Sequence, residues 1–163
     1  MNILNKQVNI NNIPDDYLSL INEFRSVDIT LSQKLFSFIE TLPNNHYIYV
    51  IYDNDTNETI GSITLIIEQK IIHDFGYVCH IEDVIVRKKY YNKGFGTKLL
   101  NIAKDVAQQH NCYKIILNCA NNLKKFYIKN NFFESSYEMR FDLTCLQISN
   151  NDCNSSSVLT PKA

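Results

Sequence analysis

A mixed α/β sandwich, a β-sheet flanked by helices, is the fold class this sequence predicts, and three observations predict it. Apolar residues recur at helical spacing in two N-terminal segments and again from Leu99 to Ala107. Between them lie runs rich in β-branched and aromatic residues, from His46 to Asp53, Glu58 to Lys70 and Val78 to Val86. In the second half helical and strand patterns alternate, which is how helices come to cover a sheet.

In chain order, Val8 to Ile10 is a short candidate first strand. Pro14 followed by Asp15 and Asp16 marks a helix entry, and Tyr17, Leu18, Leu20, Ile21 and Phe24 give that helix an apolar face up to about Val27. Leu35, Phe36, Ile39 and Leu42 place a second helix over Leu31 to Leu42, which Pro43 stops. HYIYVIYD and ETIGSITLIIEQK, joined through a turn cluster that begins at Asn54, read as an antiparallel hairpin, and VCHIEDVIV adds a strand. Leu99, Leu100, Ile102, Ala103, Val106 and Ala107 define one face of a helix ending near Asn111. YKIILNC then reads as a strand, LKKFYIKNN as a helix and FFESSYEMRFDL as a last strand region. From Gln147 the chain turns polar, so residues 1–146 are expected to form one domain and 147–163 a disordered tail.

The 163 residues are enough for one core, which at this size buries roughly 70% of the unfolded surface. Sixteen basic residues nearly balance seventeen acidic ones, leaving no general cationic field of the kind that nonspecific nucleic-acid binding needs. Five cysteines form no CxxC pair and no even disulfide framework, and read as reduced thiols. No run approaches a membrane span and no N-terminal stretch has the make-up of a signal peptide, so a cytoplasmic protein is expected. No HExxH or Cys/His cluster has metal spacing, and no metal is expected.

The stretch YYNKGFGTKLL holds two of only four glycines, Gly94 and Gly96, where a loop becomes a helix. A dinucleotide fingerprint fails, because Leu99 stands at its third glycine position and the loop from Arg87 is long. A P-loop fails too, since Gly96 is followed by Thr97 and then Lys98, the reverse of its Lys-Ser/Thr order. What remains is an anion site at a helix N-terminus, where unpaired N–H groups and the positive end of the dipole meet a phosphate that a side chain on either glycine would block. Lys88, Lys89 and Lys93 add charge to that loop. On the G-x-G alone, a loop that simply needs positive φ is the plainer account.

The neighbouring motifs separate the two accounts. HIEDVIV, the G-x-G, CYKIILNC and FYIKNNFF, in that order and at those separations, resemble the GNAT acetyltransferase superfamily. From Thr64 to Met139 the chain is most similar to the glucosamine 6-phosphate N-acetyltransferases within it. The resemblance implies a central twisted mixed sheet, acetyl-CoA as co-substrate, an amino sugar phosphate as acceptor, and a homodimer in which C-terminal strands meet. It places the coenzyme along the strand Val84, Ile85 and Val86, with the Val84 N–H facing the developing oxyanion, and its pyrophosphate on Tyr91, Asn92, Lys93, Gly94, Phe95, Gly96 and Thr97. Asn118, Tyr127 and Lys129 complete the coenzyme set. For the sugar phosphate it implies Lys70, His73, Glu82, Asp83, Val84, Tyr113, Lys114 and Arg140. Tyr127, Glu82 and Asn118 are the implied catalytic residues, with Tyr127 donating a proton to the leaving sulfur.

Several residues depart from the family pattern. Tyr91 and Asn92 stand where Arg or Gln and a glycine are usual, Asn118 replaces an Asp, and Asp142 replaces an Arg that reaches the sugar phosphate, with Arg140 two residues earlier on the same strand face. These departures leave open a different amine acceptor, or a protein that binds acyl-CoA without turnover. Glu82 and Asp83, adjacent on a strand, are expected on opposite faces, where two acids are costly unless satisfied or exposed. His80, on the face of Glu82, is read as structural support. No Ser or Cys carries a nucleophile motif, in keeping with direct transfer.

Overall fold

The computed structural model describes residues 2–27 and 32–141. Its elements are β1 (Ile3–Gln7), α1 (Tyr17–Phe24), α2 (Ser32–Glu40), β2 (His46–Asp53), β3 (Glu58–Gln69), the single turn α3 (Ile72–Phe75), left-handed at His73 and Asp74, β4 (Tyr77–Val86), α4 (Phe95–Gln109), β5 (Cys112–Ile116) and α5 (Lys124–Lys129). The sheet runs in the order β1-β2-β3-β4-β5, antiparallel through β4, with β5 parallel to β4. A parallel neighbour requires a crossover, and α4 supplies it.

Each face of the sheet has its own helices. On one, Ile63, Leu65, Ile67, Cys79 and Ile81 pack under the apolar stripe of α4, whose Leu99, Leu100 and Ala103 are completely buried. On the other, Ile48, Val50 and Ile85 lie under Tyr17 and Leu20 of α1 and Ile39 of α2. The strand β3 is covered from both sides, which is why ETIGSITLIIEQK reads as a nearly continuous apolar run rather than an alternating one. Each fully buried Leu or Ile here contributes about 1.5–3 kcal/mol relative to exposure.

Three expectations change. The first strand is Ile3–Gln7, not Val8 to Ile10; Val8 only extends the ladder, through its N–H to the Ile48 carbonyl at 2.8 Å. As an edge strand β1 pairs on one side alone and tolerates Asn5, Lys6 and Gln7, so it lacks the hydrophobic signature of a strand. The expected last strand is not found between 132 and 141: none of the five described strands takes these residues as a neighbour, and a strand needs one. Phe133, Tyr137, Met139 and Phe141 are accordingly exposed. The expected strand after α4 is also shorter, ending at Ile116 instead of Cys119. The tail at 147–163, Asp142 and the expected helix start at Leu31 lie outside the described residues.

Few glycines are available, and asparagine takes left-handed backbone positions in their place. Asn57, Asn92, Asn111 and Asn131 all have φ between 52° and 67°. Asn131 ends α5 in a Schellman arrangement: its N–H donates to the Ile128 carbonyl and that of Phe132 donates to Tyr127, at 3.0 and 3.1 Å.

The least expected feature is Arg87, the residue that follows β4. Its side chain is 6% exposed, and a cation so buried needs compensation. Nε donates to the Thr59 carbonyl at 2.7 Å, Nη1 to Glu23 and Nη2 to the Asp16 carboxylate at 2.8 Å. The other oxygen of Glu23 accepts the Lys88 N–H at 3.1 Å, while Glu58 accepts the Tyr90 hydroxyl at 2.8 Å and pairs with Lys89. Asp16 stands at the N-cap of α1 without capping it; its carboxylate is spent on Arg87 and on Thr59, whose N–H lies at 2.9 Å.

The Glu23 carboxyl lies below its usual range because, although burial opposes the charge, the Lys88 N–H and Arg87 outweigh it. Glu58 is lowered chiefly by its hydrogen bond to Lys89. Both groups therefore contribute stability that is present above the ordinary carboxylate pKa of about 4.3 and is lost as pH falls through the lower folded values. Urea midpoints measured from neutrality down to about pH 3 should fall on acidification, and fall less in a Glu23→Gln, Glu58→Gln double variant. Parallel curves for the two proteins would contradict this electrostatic assignment.

Candidate active site

The pairing of β4 with β5 extends from Tyr77↔Cys112 to His80↔Ile116 and stops. Beyond it β4 continues to Val86, while β5 ends and the chain leaves toward α5. On the other side of β4, the Arg87 N–H donates to the Ile60 carbonyl of β3 at 2.8 Å. Because the bonding direction alternates along a strand, the N–H and C=O groups of Val86 and Val84 point to the edge that β5 has vacated. An unpaired strand edge of this kind is a template for an extended ligand.

A bulge precedes that edge. The β3–β4 register shifts between Ser62 and Thr64, and Asp83 on β4 has φ of 44°. Strict alternation is therefore interrupted at Asp83, so adjacency alone does not fix the face of its side chain relative to Glu82. Both are exposed, so neither bears the desolvation cost that two acids on an apolar strand suggested. The Tyr17 hydroxyl, 3.2 Å from Ser62 Oγ, has its pKa raised by burial and further by the charge of Asp83, which links the bulge to α1.

From Arg87 the loop makes one 3₁₀ turn, Lys88–Tyr90, and reaches the N-cap of α4 at Gly94. The first helical bond runs from the Lys98 N–H to the Gly94 carbonyl at 3.1 Å, leaving the N–H groups of Phe95, Gly96 and Thr97 without an intrahelical acceptor. No side chain caps them. The two glycines serve different ends. Gly94 has φ of 84°, a conformation that strains other residues, although a Cβ there would meet nothing within 4 Å. At Gly96 a Cβ would lie 2.9 Å from Cζ of Phe126, so this position is bare to let α5 approach α4. The sequence reading assigned both glycines to anion access; packing accounts for the second. Asn92, at φ of 61°, adopts the left-handed backbone that a glycine would take. Lys93 sits over the Tyr90 ring at 5.2 Å, and Tyr91 is 55% exposed.

Tyr127 is buried in the core cluster that holds Ile81 and Leu99, with Val84 and Val86 packed against the same cluster. Its ring meets Phe126 and Phe132 edge to face, at 5.1 and 6.0 Å. Lys104 of α4 donates to the Asn130 carbonyl at 2.9 Å and fixes the end of α5. Burial, and then proximity to Cys119, raises the Tyr127 pKa, so the phenol holds its proton at neutral pH. Asn118 lies exposed just past β5, and Lys129 is exposed at the end of α5.

The residues expected at the sugar phosphate fall into two groups. Lys70 pairs with Glu68, which also meets His80 Nε2 at 2.8 Å, so the structural role expected of His80 has a partner. Next to it, the rings of His73 and Tyr113 stack at 4.4 Å, and Lys114 lies over Tyr113 at 5.5 Å. Arg140 lies in the 132–141 segment, where no strand is assigned, and position 142, with which it was expected to share a strand face, lies outside the described residues. Glu68, Tyr17 and Arg87 escaped the sequence reading. Only Arg87 carried a signal, as the first residue of an Arg-Lys-Lys run that directly follows the apolar VIV.

Among the described residues no group of three His, Cys, Asp or Glu side chains is placed to hold a metal ion, and no helix is long and apolar enough to cross a membrane. The profile of the acetyltransferase (GNAT) family matches residues 15–132. A glucosamine 6-phosphate N-acetyltransferase of Candida albicans is 34% identical over 122 residues, covering 75% of this chain and 79% of its own. Glucosamine 6-phosphate N-acetyltransferase 1 of Dictyostelium discoideum is 28% identical over 136 residues, covering 82% and 87%. The crystal structure of glucosamine-6-phosphate N-acetyltransferase from Arabidopsis thaliana superposes with a TM-score of 0.75 at 25% identity, over 87% of this chain and 99% of that one. An open backbone edge beside an uncapped helix start thus lies inside a match that spans most of the sequence, and the chain belongs to the GNAT acetyltransferase family.

Proposed function

We propose that this protein transfers the acetyl group of acetyl-CoA to the amine of D-glucosamine 6-phosphate, giving N-acetylglucosamine 6-phosphate and CoA on the way to UDP-N-acetylglucosamine. The observation that carries the chemistry is the convergence of the vacated β4 edge, the free N–H groups of α4 and Tyr127 around one core. The sugar specificity is supported by the relatives, whose names carry this activity over about three quarters of the chain or more.

Bound acetyl-CoA supplies a thioester carbonyl and a thiolate leaving group. The amides of Phe95, Gly96 and Thr97 receive its diphosphate, helped by the helix dipole. The N–H and C=O groups of Val84 and Val86 hold the pantetheine arm as an added strand. The Val84 N–H donates to the carbonyl oxygen as negative charge builds there, a contact typically worth about 2.7–4 kcal/mol in the transition state. As the C–N bond forms and the C–S bond breaks, the amine proton leaves through Glu82 or a water beside it. Tyr127 donates to the departing sulfur. Its raised pKa makes full proton transfer to a thiolate of ordinary pKa, about 8.5, uphill, so its share is hydrogen-bond stabilisation at the low end of general-acid effects.

Lys70, His73, Tyr113 and Lys114 form the phosphate end, with Asp83 and Glu82 toward the sugar hydroxyls and amine. Residues 137–141 alternate apolar and polar side chains, Tyr137, Met139 and Phe141 against Glu138 and Arg140, which is a strand pattern. A homodimer pairs these segments and carries Arg140 toward the neighbouring site. The protein works in the cytoplasm.

Purified protein should release CoA thiol with acetyl-CoA and glucosamine 6-phosphate and far more slowly with glucosamine 1-phosphate; equal rates would remove the phosphate assignment. Tyr127→Phe should lower kcat by about 10²-fold or less and leave the Kd for CoA within twofold. Full activity in that variant would exclude the acid role. Truncation after Phe132 should give a monomer by sedimentation, whereas an intact dimer would place the interface elsewhere.

A further inference from the structure

We infer that Arg87 is a positioning residue for the coenzyme loop: its guanidinium clamps α1 and β3 to the strand end from which the loop departs, and so sets where the α4 amides meet the diphosphate. The inference rests on the reading of residues 91–97 as the diphosphate site and adds to it a residue that touches neither substrate.

Three carboxylates converge at this strand end, Asp16 and Glu23 from the α1 region and Glu58 from the start of β3. Unopposed, they would place negative charge at the root of a loop that must accept an anion. Arg87 meets all three, with Nε 3.8 Å from Glu58, and Lys89 adds a second cation on Glu58. A planar guanidinium with donors in a fixed fork can bond the Thr59 carbonyl, Glu23 and Asp16 together, which a lysine ammonium cannot do in this geometry. The clamp also reaches the loop backbone. Glu23, held by Arg87, accepts the Lys88 N–H, and the Arg87 carbonyl accepts the Tyr90 N–H at 2.9 Å. Tyr90 is fixed in turn by Glu58 and packs edge to face on Phe95, the first residue of α4, at 5.6 Å. An unbroken chain of contacts therefore runs from the buried cation to the first amide of the anion site.

The test compares Arg87→Met, Glu23→Gln, Gly94→Val and the packing control Leu20→Ala by calorimetric CoA binding, by KM for each substrate, and by hydrogen exchange of the amides from Lys88 to Thr97. Arg87→Met should raise the CoA Kd and the acetyl-CoA KM about tenfold or more, leave the glucosamine 6-phosphate KM within twofold, and speed exchange across the loop. Glu23→Gln, which keeps its shape, should move the same quantities in the same direction by a few fold, so the inference stays testable if Arg87→Met does not fold. If Gly94→Val raises the CoA Kd while Glu23→Gln and any folded Arg87→Met leave it unchanged, Arg87 is structural only. An equal rise in Leu20→Ala, at matched loss of thermal stability, would likewise overturn the positioning role. If Gly94→Val itself leaves the CoA Kd unchanged, the loop is not the diphosphate site and both readings fall.

Discussion

The structure turns on the point where β5 stops following β4. Every N–H and C=O on a strand edge must find water, another strand or a ligand, and a buried group left without one costs about 1–3 kcal/mol. Here the chain leaves β5 after Ile116 while β4 runs on past Ile81 to Val86, so a short edge stays available in the middle of the sheet. The side chains on that edge need no special chemistry. Val84 and Val86 pack onto the core under α4, and the backbone between them faces outward. Such an edge can hold a ligand of repeating amide geometry through main-chain bonds alone.

The elements around the edge are held by unlike means. On the α4 side the restraint is apolar: Leu99, Leu100 and Ala103 are sealed into the sheet, and Gly96 lets Phe126 bring Tyr127 close. On the α1 side it is electrostatic, through Arg87 and its carboxylates. The two sides meet in the loop between Arg87 and Gly94. Apolar packing varies little with pH, whereas the carboxylate contacts weaken on protonation, so the loop inherits whatever pH sensitivity the α1 side carries. Cys79, Cys112 and Cys119 are free thiols, and burial holds Cys79 up at about 12, well away from reactive thiolate chemistry.

Asparagine has a larger part in the backbone than its polarity suggests. With four glycines in the whole sequence, the left-handed positions at turns and helix ends fall to residues that tolerate them. Asn57 turns the β2–β3 hairpin, Asn111 and Asn131 end α4 and α5, and Asn92 turns the loop before α4.

The amphipathic helices and the central hairpin were legible from their own residues: α4 repeats its apolar positions at helical spacing, and β2 and β3 are runs of β-branched and aromatic residues on either side of a turn cluster. The edge strand β1 was misplaced because a strand paired on one side needs no such pattern. No strand is assigned at residues 133–141 among the described residues, since a strand pattern says that a segment could pair and nothing about what it pairs with. Spacing and motif order singled out the loop at Gly94, the strand at Val84 and the tyrosine at position 127, and Phe95, Val84 and Tyr127 share one core cluster. The bulge at Asp83, the division of labour between Gly94 and Gly96, and the burial of Arg87 among three carboxylates were decided only in three dimensions. Each depends on the distance between segments far apart in the chain, and such distances are set by packing rather than by local composition.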